Sequence, residues 1–257
     1  MLKRMALAAV AFLVMALGLV PEPAHASVIQ TVEGLSTVNT LVSFKAELTI
    51  AENTLTVVLE NTSTVTSSAP SDLLSSYYFD IIKSVSRPTL TYVSAIGDVW
   101  LTDMDNTDEL QTANAILKVA IISAGPPKEW DGKWDFKPMD ATLFPNLGFG
   151  VGTVGNNSSP YRIPTENTFN GNIVGGLDYS IYAGDVTTQN LHEKLLVNGP
   201  ITFTFSGVGD FSESDISSQF AFGMGTAPDS LLTPEPATLA LMALGGVGML
   251  LTRRRGK

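Results

Sequence analysis

Between residues 42 and 60 the chain alternates apolar and polar side chains, and this pattern limits the fold more than any other feature. Val42, Phe44, Ala46, Leu48 and Ile50 alternate with Ser43, Lys45, Glu47 and Thr49. After Ala51-Glu52-Asn53, a second run sets Leu55, Val57 and Leu59 against Thr54, Thr56 and Glu60. A period of two gathers the apolar side chains on one face of an extended strand, whereas a helix would scatter them around its axis. The two runs predict a β-hairpin with one buried face. Further strands are expected at Tyr77–Ile82, Leu90–Ala95, Asp98–Thr102, Ile116–Ile122, Asp178–Tyr182, Ile201–Ser206 and Gln219–Gly223. Ala113–Ile122 also suits a short helix, since Ala, Leu and Lys favour one. Thr, Val, Ser and Gly dominate and turns recur at short intervals, so the class expected is all-β, a β-sandwich or jelly roll in one domain. Leu147–Pro164, rich in Gly, Asn, Ser and Pro, reads as a long loop or a boundary between two halves.

Composition removes several functions. No Cys among 257 residues excludes disulfides, thiolate metal sites and a cysteine nucleophile. Two His leave little room for imidazole zinc sites or Ser-His-Asp chemistry. The net charge of −10 argues against nucleic acid as a partner, because phosphate binding needs clustered Lys and Arg.

Both ends are apolar. Lys3 and Arg4 precede the run Met5–Val20, Pro21 and Pro23 break it, and Ala24-His25-Ala26 supplies a small-x-small cleavage pattern. That order is the layout of a secretory signal, with signal peptidase cutting between Ala26 and Ser27. At the other end Pro234-Glu235-Pro236 precedes an apolar run from Ala237 to Leu251, closed by Arg253-Arg254-Arg255 and Lys257. Fifteen helical residues span about 22 Å, short of a hydrocarbon core of about 30 Å. The arginines compensate by holding the C-terminal side in the cytoplasm, which makes the run a short transmembrane helix. The expected organisation is a signal peptide at 1–26, an ectodomain at 27–226, a linker at 227–233 and an anchor at 234–257. Of 15 basic residues six lie in the end segments, and of 25 acidic residues two do, so residues 27–233 hold 9 against 23 and a net charge of −14.

The C-terminal sequence resembles the PEP-CTERM sorting signal, in which a Pro-Glu-Pro motif, a short Ala/Leu/Gly-rich apolar helix and a terminal Arg cluster follow in order. The resemblance covers Pro234 to Lys257, and the earlier Pro21-Glu22-Pro23 has no such tail behind it. It implies an exosortase, a membrane-embedded cysteine transpeptidase-like enzyme, as the processing partner. It further implies recognition at Pro234, Glu235 and Pro236, stop-transfer charges at Arg253, Arg254 and Arg255, and a Gram-negative host making exopolysaccharide and biofilm. The implied route is export, a transient inner-membrane anchor, then the cell surface or extracellular space. A second stretch, from Gly176-Leu177-Asp178-Tyr179 to Thr226, is similar to the end of many PEP-CTERM ectodomains, which have no assigned activity.

Three local stretches invite chemistry. Asp131-Gly132 is a two-residue hairpin signal, which sets Trp130 against Lys133 and Glu129 against Trp134. Trp130 and Trp134 beside Asp131 and Asp135 form a candidate glycan site, the rings stacking on sugars and the carboxylates bonding hydroxyls. The competing reading packs both tryptophans into the core. Asp103, Asp105 and Asp108 stand with Glu109 in one short acidic stretch and form a candidate Ca²⁺ site, though the spacing fails the EF-hand pattern. Gly150-Val151-Gly152-Thr153-Val154-Gly155 spells a dinucleotide fingerprint, but Asn156-Asn157-Ser158-Ser159-Pro160 follows where a helix should start, so no phosphate cradle is expected. Asn61-Thr62-Ser63 spells a glycosylation acceptor. His192 has no evident partner. The expectation is a non-catalytic exported protein without a cofactor. Its alternatives are a carbohydrate-binding module and a hydrolase using paired carboxylates.

Overall fold

The computed structural model describes residues 26–102, 108–119, 134–139, 147–153, 178–184, 191, 194–225 and 231–234, with the side chains of 111–119 and 135 outside that description. The described residues form strands, turns and two 3-10 turns, with no α-helix among them. The all-β expectation holds.

The hairpin predicted from the alternation is present. Strands β2 (Leu41–Ala51) and β3 (Thr54–Asn61) pair antiparallel across a Glu52-Asn53 turn, with Ala51 opposite Thr54. Along both strands every second side chain is buried, from Val42 to Ile50 and from Leu55 to Asn61. Glu52 adopts φ 53°, and Asn53 ties the turn to the region after the eleventh strand by accepting hydrogen bonds from the Gly207 and Gly209 amides.

On one side of this hairpin lies β1 (Ser27–Leu35), and on the other β11 (Ile201–Ser206), followed by β5 (Thr91–Leu101) and β6 (Glu109–Val119). The limits of β11 coincide with the expected strand at both ends. The segments read as two strands at Leu90–Ala95 and Asp98–Thr102 are one strand, β5. Register shifts around Gly97 interrupt its alternation without ending its pairing with β6. Ala113–Val119 is strand and not helix, since it belongs to β6, and residues 120–122 lie outside the described residues.

The remaining strands are β4 (Leu74–Phe79), β7 (Asp135–Pro138), β8 (Phe149–Gly152), β9 (Ile181–Tyr182), β10 (Leu195–Asn198), β12 (Ala221–Met224) and β13 (Leu231–Leu232). β4 stands between β8 and β12, with β7 outside β8 and β13 outside β12. β9 and β10 join this group to β5, so hydrogen bonding is continuous throughout.

Side chains from the two groups of strands face each other across the core. Phe44 meets Phe222 at 5.8 Å, Phe79 meets Phe205 at 6.4 Å, and Phe136 meets Phe205 at 5.0 Å between ring centroids. Such tilted pairs match the aromatic quadrupole and add to the apolar burial. Tyr77 is fully buried, its hydroxyl donating to Gln30 Oε1, and burial raises its pKa well above the ordinary value. Gln30 in turn donates to the Ser217 carbonyl at 2.8 Å.

β8 corrects the reading of Leu147–Pro164 as a loop over its first residues, while residues 154–164 lie outside the described residues. Phe149–Gly152 is buried along its whole length between β4 and β7. Its glycines admit close neighbours: a Cβ at Gly150 would lie 2.8 Å from Tyr78 Cδ1, and one at Gly148 would lie 2.4 Å from Asp80 Oδ1. Asp80, also buried, is held bidentate by Arg87, with Nε to Oδ1 at 2.8 Å and Nη2 to Oδ2 at 2.7 Å. The pair raises the Arg87 pKa, and it satisfies a charge that would be costly to bury alone.

Candidate functional site at the β1–β13 edge

The C-terminal motif begins where the fold ends. Strand β13 consists of two leucines, Leu232 paired with Phe222 and Leu231 with Gly223. Successive strand residues point to opposite faces. Leu232 accordingly packs on the main core, and Leu231 packs on the outer cluster of Tyr78, Met139 and Ala221. Gly34 on β1 makes room for Leu232, because a Cβ at Gly34 would stand 2.7 Å from Leu232 Cδ2. Both leucines are only half-buried, Thr233 is exposed, and Pro234 is half-buried. Pro234 has no N–H to extend the ladder, so pairing stops there.

The direction of exit follows from the pairings. β13 is antiparallel to β12, and β12 is antiparallel to β4. β4 starts near Asn61, whose amide donates to the Ile181 carbonyl beside Leu74, and finishes at Phe79 over Phe205, opposite Leu55. β13 therefore runs in the same direction as β4. Leu232 lies beside Gly34, at the end of β1 that turns into β2, so the described part of the tail leaves from there and not from beside Ser27.

The end of the molecule where β1 begins is acidic and well bonded. Glu213 Oε1 accepts from the Ile50 amide at 3.3 Å, and Lys83 Nζ donates to the Asp210 carbonyl at 3.0 Å. Asp215 Oδ2 accepts from the Ser212 amide at 2.9 Å and from its hydroxyl at 3.0 Å. The backbone bond from Ser212 chiefly lowers the Asp215 pKa, with the charge of Lys83 adding to it.

Of the residues singled out from sequence, Trp134 needs correction as a glycan platform. It is fully buried, its Nε1–H donates to the Tyr179 carbonyl at 2.8 Å, and its ring lies edge-on to Phe203 at 5.3 Å. A stacking platform needs an open face, and this ring has none. The backbone of Asp135 pairs with Gly152 in β7, whereas Trp130 and Asp131 lie outside the described residues. Of the acidic trio, Asp108 Oδ2 accepts from the Tyr182 hydroxyl at 2.8 Å, and Asp103 and Asp105 lie outside the described residues. Among the described residues no three His, Asp or Glu gather as a metal cluster. Asn61 is buried, and its amide nitrogen donates to the Asp72 and Ile181 carbonyls, so its place is structural. Ser27 opens β1 and Ala26 is exposed beside it. Ala24, Glu235, Pro236, Arg253, Arg254, Arg255 and His192 lie outside the described residues. Among the described residues no helix is long and apolar enough to cross a membrane, and the run 237–251 is not among them.

Sequence reasoning passed over Gly34, Leu231 and Leu232, which join the tail to the fold. The available signal was Gly34 itself, since a glycine inside a strand often marks the close approach of another element.

Residues 232–255 match the PEP-CTERM protein-sorting motif. The match starts at Leu232, inside β13, so the sorting segment and the folded sheet overlap. No curated protein and no solved structure matches the chain.

Proposed function

We propose that this is an exported, non-catalytic surface or extracellular-matrix protein delivered by an exosortase acting on its C-terminal segment. The observation that carries the reading is the motif match over residues 232–255. The ectodomain is read as a β-sandwich, supported by the aromatic side chains that face each other across its core. Removal of the signal peptide after Ala26 would leave β1 whole, because that strand starts at Ser27. The apolar run 237–251 then holds the chain in the inner membrane of a Gram-negative cell, with Arg253–Arg255 on the cytoplasmic side.

The exosortase is proposed to engage Pro234, Glu235 and Pro236 on the outer side of that membrane. Processing at or beyond this motif would leave β13 paired, because Leu232 precedes Pro234 by two residues. Exopolysaccharide is proposed as the surrounding matrix.

Replacing Pro234, Glu235 and Pro236 together by alanine tests the reading in a host that makes an exosortase. The variant is expected to remain full length in the membrane fraction while the unaltered chain loses its tail and leaves it. Identical processing of both chains would overturn the assignment of those three residues.

A further inference from the structure

Where β10 ends, the chain spells Asn198-Gly199-Pro200. β10 and β11 both pair with β5, β10 along Val99–Leu101 and β11 along Thr91–Ile96, so Gly199 and Pro200 stand at a break in one line of strand. Pro200 has no N–H, so the ladder cannot run on through it. Gly199 holds φ 88°, a conformation that suits glycine, and nothing lies within 4 Å of where a Cβ would stand. Its amide lies outside the strands and donates to no acceptor among the described residues. Asn198 and Gly199 are half-buried and Pro200 is exposed, so water reaches the break. In backbone register Asn198 stands beside Tyr182 of β9. Its Nδ2 donates to the Tyr182 hydroxyl at 3.2 Å, and that hydroxyl donates to Asp108 Oδ2 at 2.8 Å.

We propose that Asn198-Gly199 is a site of self-modification, at which the Gly199 nitrogen attacks the Asn198 carboxamide and the residue ends as aspartate or isoaspartate. A side chain on the residue after an asparagine obstructs that approach, and glycine has none. The Gly199 amide, held by no ladder bond, first gives its proton to hydroxide. Its nitrogen then bonds to Asn198 Cγ, and the Cγ–Nδ2 bond breaks, releasing ammonia and leaving a succinimide. Water adds to one of the ring carbonyls and breaks the bond from that carbon to the Gly199 nitrogen. Opening at Cγ gives aspartate. Opening at the main-chain carbonyl gives isoaspartate, with the backbone rerouted through Cβ and Cγ. The net change is amide plus water to acid plus ammonia, with no redox step. The fold gives the product a consequence, because the Asn198 amide is a donor and a carboxylate only accepts. Tyr182 has a single hydroxyl hydrogen, so the carboxylates at 198 and 108 would compete for it and repel each other. The side-chain link between β10 and β9 is then lost. The inference stands whether or not the tail is processed.

Full-length chain in detergent micelles is held at neutral and at mildly alkaline pH, digested with chymotrypsin and mapped by mass spectrometry. Cleavage after Leu196 and Phe203 separates position 198 from the other Asn-Gly pair, Asn170-Gly171, which lies outside the described residues. The peptide holding Asn198 is expected to gain the mass of an amide turned acid, faster at the higher pH, and to be labelled by an isoaspartyl methyltransferase. Asn198→Gln keeps a donor but would need a larger ring, so its peptide is expected to stay unchanged. A synthetic peptide spanning Leu195–Thr202 gives the rate without the fold. The native rate is expected to fall within about tenfold of it, the protection of a weakly held segment. Conversion of the synthetic peptide without conversion of the native chain would overturn the inference, as would an equal mass gain in Asn198→Gln. Asn198→Asp carries the product's charge from the start. Its β9–β10 amides are expected to exchange faster than those of the unaltered chain, with β4 unchanged. Equal exchange at β9 and β10 in the two chains would overturn the consequence drawn for Tyr182.

Discussion

Strands β4 and β13 flank the same neighbour, β12, yet the fold holds them very differently. All six residues of β4 are buried, and its rings interlock with Phe222, Phe149 and Phe205. β13 offers two half-buried leucines, one resting where Gly34 lacks a side chain. Buried apolar area scales with stabilisation at roughly 25 cal/mol per Å², so β4 is fixed with the global fold while β13 is a shallow latch. Stability in a protein is uneven, and the elements that must move or be handled sit at its weak end. The tail hangs from the side of β12 that is held least.

The largest expected effect probes the strong side. Phe79→Ala removes a ring in contact with Tyr77, Phe149 and Phe205 and should cost about 3–5 kcal/mol in urea unfolding. A loss below about 1 kcal/mol would mean that β4 is no better anchored than β13. Next, Arg87→Ala leaves the buried Asp80 carboxylate without its bidentate partner. The cost should be about 3 kcal/mol, at the low end for a broken buried pair because Arg87 is partly exposed.

On the weak side, Leu232→Ala should cost about 1 kcal/mol or less. Hydrogen exchange should show faster exchange confined to the β12–β13 edge, with β4 unchanged. A global drop in melting temperature matching that of Phe79→Ala would erase the distinction. The smallest effect concerns the acidic end. Asp215 has its pKa lowered from the ordinary 3.8, so its contribution is present above that value and disappears as pH falls through the lowered one. The melting temperature of Asp215→Asn should therefore show a shallower decline in acid than the unaltered chain. Parallel declines would place the effect elsewhere.

What was legible in the sequence followed where one face was plainly apolar. β2, β3 and β11 alternate cleanly, and their limits lie close to the expected ones. β1 escaped because its inward positions include Gln30 while Ile29 and Leu35 point outward, reversing the expected pattern. The inward glutamine makes sense only with Tyr77 and Ser217, both far away in sequence. β8 escaped for a related reason: Gly150 and Gly152 read as loop, but Tyr78 needs the space above Gly150. Trp134 stands just before β7 and is fully buried, so it is no platform, and sequence does not show which side of a ring is covered. The sorting motif was legible in full, since it is a linear signal that needs no partner from elsewhere in the chain.

The most direct measurement is the intact mass of the protein and both its termini, recovered separately from membrane and extracellular fractions. The extracellular form is expected to begin at Ser27 and to end at or shortly after Pro234, with β1 and β13 both retained. An extracellular form ending at Lys257, or one cut upstream of Leu231, would contradict the account.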